Sequence, residues 1–170
     1  MTSASRPFSG SRGDGASLLD QLEEALFELA WLGQKQFAVE LAPYKLTIPQ
    51  FFTLLFVSTS ERGCTMSELA NQTRHSLATM TGIVDRLVKL DLVKRGGNPD
   101  DRRIVLVELT DTGRARLEEV HAARRRHLEQ AFSRFSEADQ RELVRLIKEF
   151  AAALGVHEGA GPARGIRRRG

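Results

Sequence analysis

Most of this chain places apolar residues at helical spacing. From Ser17 to about Glu40, the residues Leu18, Leu22, Leu26, Leu29 and Phe37 fall on one broad stripe, with Glu23, Glu24, Glu28 and Lys35 elsewhere. Ala42-Pro43-Tyr44-Lys45 breaks that helix. Thr47-Ile48-Pro49-Gln50 has the form of a capping box with proline in the first turn. The helix it opens, Pro49 to about Ser60, is apolar nearly all round and so predicted central and buried. Thr65-Met66-Ser67-Glu68 is a second capping box, starting a short helix to about Gln72. Ser76 caps a further helix, Leu77 to Leu90. There Met80, Ile83, Val84, Leu87 and Leu90 face inward, which leaves Thr79, Thr81, Gly82, Arg86 and Lys89 outside.

The pattern then changes. Leu92–Arg95 and Arg103–Glu108 read as two short strands, and Gly96 to Asp101 as the turn between them. Thr110 caps a long, charged helix to about Arg134, with sparse apolar positions at Leu117, Val120 and Leu128. Ser136-Glu137-Ala138-Asp139 caps a last helix whose Leu143, Leu146, Ile147, Phe150 and Leu154 form one stripe. Helix, helix, hairpin and helix start, from Thr65 to Gly113, is the layout of a winged helix-turn-helix. The second helix can enter a DNA major groove, and the hairpin tip, Asn98-Pro99-Asp100-Asp101-Arg102-Arg103, carries two arginines.

Composition adds limits. Apolar residues make up 41% of 170, enough for a packed core. No apolar run approaches the ~20 residues of a membrane span. The net charge of +3 resides in the tail, where Gly155 to Gly170 holds four arginines against one acid; only local placement therefore argues for nucleic acid. The single cysteine, Cys64, permits no intrachain disulfide and fits a reducing, cytoplasmic setting. It lies in or near a short strand and reads as an inert core thiol. His121 and His127, six residues apart, do not share a helical face, so no metal site is expected. There is no Gly-rich phosphate loop and no nucleophile elbow, so no cofactor and no enzymatic activity are expected.

Ser67-Glu68-Leu69-Ala70, Thr79-Met80-Thr81-Gly82-Ile83-Val84-Asp85-Arg86-Leu87, Leu92-Val93, the Asn98–Arg103 tip and Leu109-Thr110-Asp111-Thr112-Gly113 together resemble the MarR family of transcription regulators. The resemblance implies a mostly α fold with a small β-wing. It also implies a homodimer whose first and last helices entwine, at about 17–44 and 110–154. The winged helix-turn-helix lies between, at about 47–109. Residues 1–16 read as a disordered leader and 155–170 as a disordered Arg-rich tail. Three positions depart from the family pattern. Met80 replaces a smaller aliphatic residue. Asp91 replaces a glycine and must then adopt a left-handed conformation. Gly82 stands where a polar or basic side chain is common, which removes one candidate base contact.

The candidate DNA-binding residues are Thr65, Ser76, Ala78, Thr79, Thr81, Gly82, Arg86, Lys94, Arg95, Arg102 and Arg103. Helix N-termini at Thr65 and Ser76 suit phosphate, and short hydroxyl side chains suit base or backbone contacts. Arg86 and Lys89 fit phosphates, and Arg102 or Arg103 the minor groove. Asp100 or Asp101 is placed to brace a neighbouring arginine. Phe27, Trp31, Tyr44, Phe51 and Phe52 either line an apolar pocket or belong to the core; the resemblance implies small aromatic or phenolic effectors at such a pocket. Arg124-Arg125-Arg126, within reach of Glu118, Glu119 and Glu129, reads as a salt-bridged surface. The expected partner is double-stranded DNA carrying a pseudo-palindromic operator, and the expected output is repression released by an effector. Two other readings remain open: a sequence-blind DNA-coating protein and a winged-helix protein-interaction module.

Overall fold

A computed structural model describes residues 17–97 and 104–155. The helices are α1 (Leu18–Leu41), α2 (Ile48–Ser58), α3 (Met66–Thr73), α4 (Leu77–Lys89), α5 (Asp111–Phe132) and α6 (Glu137–Ala153). The strands are β1 (Cys64–Thr65), β2 (Val93–Gly97) and β3 (Val105–Leu109), in the antiparallel order β1-β3-β2. The chain divides into two compact units between Gln36 and Phe37, within α1. In the first unit the α1 residues Leu18, Leu29 and Leu32 are exposed.

The second unit holds the core. Leu41, Leu54, Met80, Val84, Leu87, Leu92, Val107 and Val120 are fully or almost fully buried, which brings α2, α4, the sheet and α5 together. The all-round apolar pattern of α2 is matched by burial of Phe51, Leu54, Leu55 and Val57, with Phe52 and Phe56 half-buried. Its one buried polar side chain, Thr53, donates to the carbonyl of Pro49 at 2.9 Å, so its hydroxyl is satisfied four residues back. Met80 packs beside it, its Sδ 3.9 Å from Thr53 Oγ1, and fills the site expected to hold a smaller residue.

Local signals set the helix starts. Thr65 Oγ1 accepts from the Glu68 N–H at 3.2 Å while Glu68 Oε2 accepts from the Thr65 N–H at 2.7 Å, a complete capping box. The Thr65 groups also hold the Glu68 carboxyl below its ordinary range. Ser76, Thr110 and Ser136 cap α4, α5 and α6 in the simpler way. Asp91 adopts the left-handed conformation, φ 56°. It closes α4, with Leu92 N–H donating to the Leu87 carbonyl at 3.0 Å and Asp91 N–H to the Val88 carbonyl at 2.9 Å.

The hairpin differs from its expectation. Gly96 and Gly97 pair with Leu106 and Val105 and extend β2, where the sequence pattern puts them in the turn. Glycine is a poor strand former, and pairing with the apolar run of β3 overrides that preference. The rest of the turn, Asn98 to Arg103, lies outside the described residues, as do the leader and nearly all of the tail. The α5 charges also pair differently. Arg125 meets Glu129 at 2.7 Å as expected. Glu119 pairs instead with Arg116, and Arg124 reaches Glu40 at 4.0 Å and lies 4.4 Å over the Phe37 ring.

Candidate DNA-reading interface

Helix α4 presents the candidate reading face. Ser76, Leu77, Ala78, Thr79, Thr81, Gly82, Arg86 and Lys89 are exposed, opposite the buried Met80, Val84 and Leu87. The turn before it is fixed by Arg74 in the left-handed conformation, with the His75 N–H donating to the Ala70 carbonyl at 3.0 Å. At the N-terminus Ser76 Oγ accepts from the Thr79 N–H at 3.1 Å and lies 2.9 Å from Thr79 Oγ1. Thr81 Oγ1 donates to the Leu77 carbonyl at 2.8 Å. The expected hydroxyls are thus on one exposed surface, each already in a local hydrogen bond.

The cations of the hairpin base are paired as well. Arg95 donates to Asp85 Oδ1 at 2.6 Å, joining β2 to α4. Lys94 Nζ lies 3.1 Å from Glu108 Oε2 across the β2–β3 ladder. Lys94 remains largely exposed and Arg95 partly so. Asp85, on α4 itself, braces Arg95; the sequence reading sought such a brace at Asp100 or Asp101, which lie outside the described residues with Arg102 and Arg103. Thr65, the last residue of β1 and the N-cap of α3, is half-buried within its own capping box.

A hydrogen-bonded knot fixes the far end of α4. Thr112 Oγ1 donates to Asp91 Oδ2 at 3.1 Å, Thr110 Oγ1 donates to the Asp91 carbonyl at 2.7 Å, and the Thr110 N–H donates to the Leu92 carbonyl at 3.2 Å. Gly113, buried at the start of α5, lies so close to the Leu92 carbonyl that a Cβ there would collide with it. The residue after α4, the hairpin base and the start of α5 are therefore held together by the Asp91, Thr110 and Thr112 side chains and the Leu92 carbonyl. Sequence reasoning missed Asp85, Glu108 and this knot, because their partners are 10 to 21 residues away.

The MarR family model matches residues 44–104, a span that runs from before α2 to the start of β3. The uncharacterized HTH-type transcriptional regulator YsmB of Bacillus subtilis is 30% identical over 119 residues, 69% of this chain and 80% of its own length. The multiple antibiotic resistance protein MarR of Salmonella typhimurium is 34% identical over 101 residues, 59% of this chain and 69% of its own. This chain belongs to the MarR family. Among solved structures, RV1404 from Mycobacterium tuberculosis superposes with a TM-score of 0.70 at 29% identity, covering 83% of this chain and 97% of that one. The fold of this MarR-family chain is thus the winged helix-turn-helix of its relatives.

The candidate effector residues of this MarR-family chain lie on separate elements: Phe27 and Trp31 on α1, Tyr44 just after it, and Phe51 and Phe52 on α2. Phe27 and Trp31 are exposed on α1 in the first unit. Phe51 is core, its ring edge-on to Phe37 at 5.0 Å and in a T-shaped contact with His121 at 5.7 Å. Tyr44 is half-buried beneath the Arg116 guanidinium, 5.6 Å from its ring centre. Phe52 lines a cavity of about 330 Å³ with Ile48, Phe56, Gln72 and His75. Among the described residues no group of acidic, histidine and cysteine side chains is placed to hold a metal ion, and no helix is long and apolar enough to cross a membrane. Cys64 is half-buried on β1, and burial pushes its thiol pKa up, opposed by a hydrogen bond from Ser60 and reinforced by Glu68. That disfavours the thiolate needed for redox sensing.

Proposed function

We propose that this chain binds duplex DNA sequence-specifically as a homodimer at a pseudo-palindromic operator and represses transcription, with release by a small aromatic or phenolic effector. The observation that carries this reading is the α4 face: an exposed, small-residue surface on a capped recognition helix, tied through Arg95–Asp85 to the base of a β-hairpin. Ser76, Ala78, Thr79, Thr81 and Gly82 enter the major groove. Arg86 holds phosphate, and Arg102 and Arg103 extend from the hairpin toward the minor groove. Lys94 and Arg95 contribute from the hairpin base, and the Thr65 helix start offers N–H groups to the backbone.

The dimer reading rests on two apolar surfaces, each described on its own helix. On α1, Leu18 is 85% exposed and Leu29 67%; on α6, Ile147 is 56% exposed and Leu154 lies beyond the last turn at 64%. A second copy covers such faces in a two-fold arrangement, which sets the recognition helices about one DNA turn, ~34 Å, apart. An effector acts only by binding one spacing of those helices better than another. The protein works in the cytoplasm, without catalysis and without a cofactor.

Fluorescence anisotropy on duplexes taken from upstream of the gene, against a scrambled duplex at two salt concentrations, tests this. A preference of about 100-fold or more supports a specific regulator. Equal, salt-sensitive binding to both supports DNA coating instead. Binding to neither turns the search to protein partners.

A further inference from the structure

We propose that the first two turns of α4 read thymine methyl groups, so that each operator half-site is specified by thymines more than by guanines. This inference rests on the DNA-reading role of α4 proposed above.

Base edges in the major groove call for distinct side chains. Guanine is read by arginine or lysine, adenine by asparagine or glutamine, cytosine by a carboxylate, and thymine by apolar contact with its C5 methyl. Helix α4, LATMTGIVDRLVK, contains no asparagine or glutamine. Its one carboxylate, Asp85, is occupied by Arg95 at 2.6 Å. Its cations, Arg86 and Lys89, belong to the last turn. Arg86 is ten residues beyond Ser76, about 15 Å along the axis, whereas base contacts come from the N-terminal residues of such a helix.

What the N-terminal turns do offer is methyl surface. The Thr81 hydroxyl proton is spent on the Leu77 carbonyl, and Ser76 and Thr79 share a hydrogen bond with each other. Ala78 and Thr81 remain exposed, and Leu77 is 55% exposed on their flank. At Gly82 nothing lies within 4 Å of where a Cβ would be, so no side chain holds the helix backbone away from the bases. A helix with small outward residues can sit close enough for its methyl groups to meet those of thymine.

The test uses the full-length chain and a duplex selected by it from a randomised pool. Each thymine of the selected site is replaced in turn by deoxyuridine, which lacks only the methyl, and Kd is read by anisotropy. The expected loss is about four-fold per contacted methyl, the transfer value of one group of that size. Thr81→Ser removes a methyl and keeps the hydroxyl; Ala78→Gly removes the other. In at least one of the two variants the deoxyuridine penalty falls toward none. A selected site that is insensitive to deoxyuridine overturns the inference while leaving sequence-specific DNA reading intact. A penalty unchanged in both variants places the methyl contact elsewhere and overturns it too. Failure to prefer any duplex over a scrambled one removes both this inference and the function it rests on.

Discussion

Arg95 on β2 donates to Asp85 on α4 at 2.6 Å, a link between the hairpin and α4 that neither element could make alone. Both side chains are substantially exposed, at 38% and 47%, so the pair contributes roughly 0–1 kcal/mol to stability. Its larger consequence is electrostatic: beside the proposed DNA face, the Asp85 carboxylate offsets part of the charge that Arg95 brings to phosphate from the hairpin base. Asp85→Asn is expected to leave the thermal midpoint nearly unchanged. It is also expected to steepen the salt dependence of DNA binding by about one unit of log–log slope. An unchanged slope would mean that Arg95 does not reach the DNA backbone even when released.

Gly113→Ala is expected to cost about 1–3 kcal/mol, the usual penalty of forcing an atom into a filled site. The colliding partner is the Leu92 carbonyl, a backbone atom that already accepts from the Thr110 N–H and cannot turn away. Urea denaturation measures the change. A midpoint within error of the wild type would show that the start of α5 can shift.

Replacing both Arg102 and Arg103 by alanine is expected to weaken operator binding and to lower the salt slope by about one to two units. Anisotropy at several salt concentrations reads both effects. Unchanged affinity would place the hairpin tip away from DNA.

His121 supplies a pH dependence. Burial against Phe51, and secondarily the nearby Arg124 charge, push its imidazole pKa below 6.5. The folded state therefore favours the neutral ring. The associated stability is present above about pH 6.5, the unfolded value, and is lost as pH falls through that value toward the folded one. Denaturation midpoints at pH 7.5 and 5.5 should show a smaller acid loss in His121→Gln than in the wild type. Equal losses would assign the acid sensitivity to other groups.

The helix starts were legible in the sequence because a cap is a local device: Thr65 and Glu68, or Ser76 and Thr79, find each other within one turn. The left-handed Asp91 was legible for the same reason, as the residue just past a helix end. What was not legible depends on distant partners. Gly96 and Gly97 carry turn chemistry yet pair with β3, because register is decided by the whole ladder. Phe51 and Phe52 are adjacent and chemically identical, yet one enters the core and the other lines a cavity. Their separation follows from the roughly 100° that one residue turns about a helix axis, and no composition or spacing rule states which neighbour each will meet. The candidate DNA face was half legible: its exposed residues follow from helical period, while the salt bridges that hold its cations do not.

The open ground around Gly82 bears on how such a protein changes its target. A Cβ added there has no neighbouring atom within 4 Å, and replacing an exposed helical glycine by alanine gains up to ~1 kcal/mol of helix propensity. Under the proposed DNA-reading role of α4, a small side chain placed here could change base preference without a penalty in folding. Descendants of this sequence can explore new operators there one substitution at a time, without a compensating change in the core.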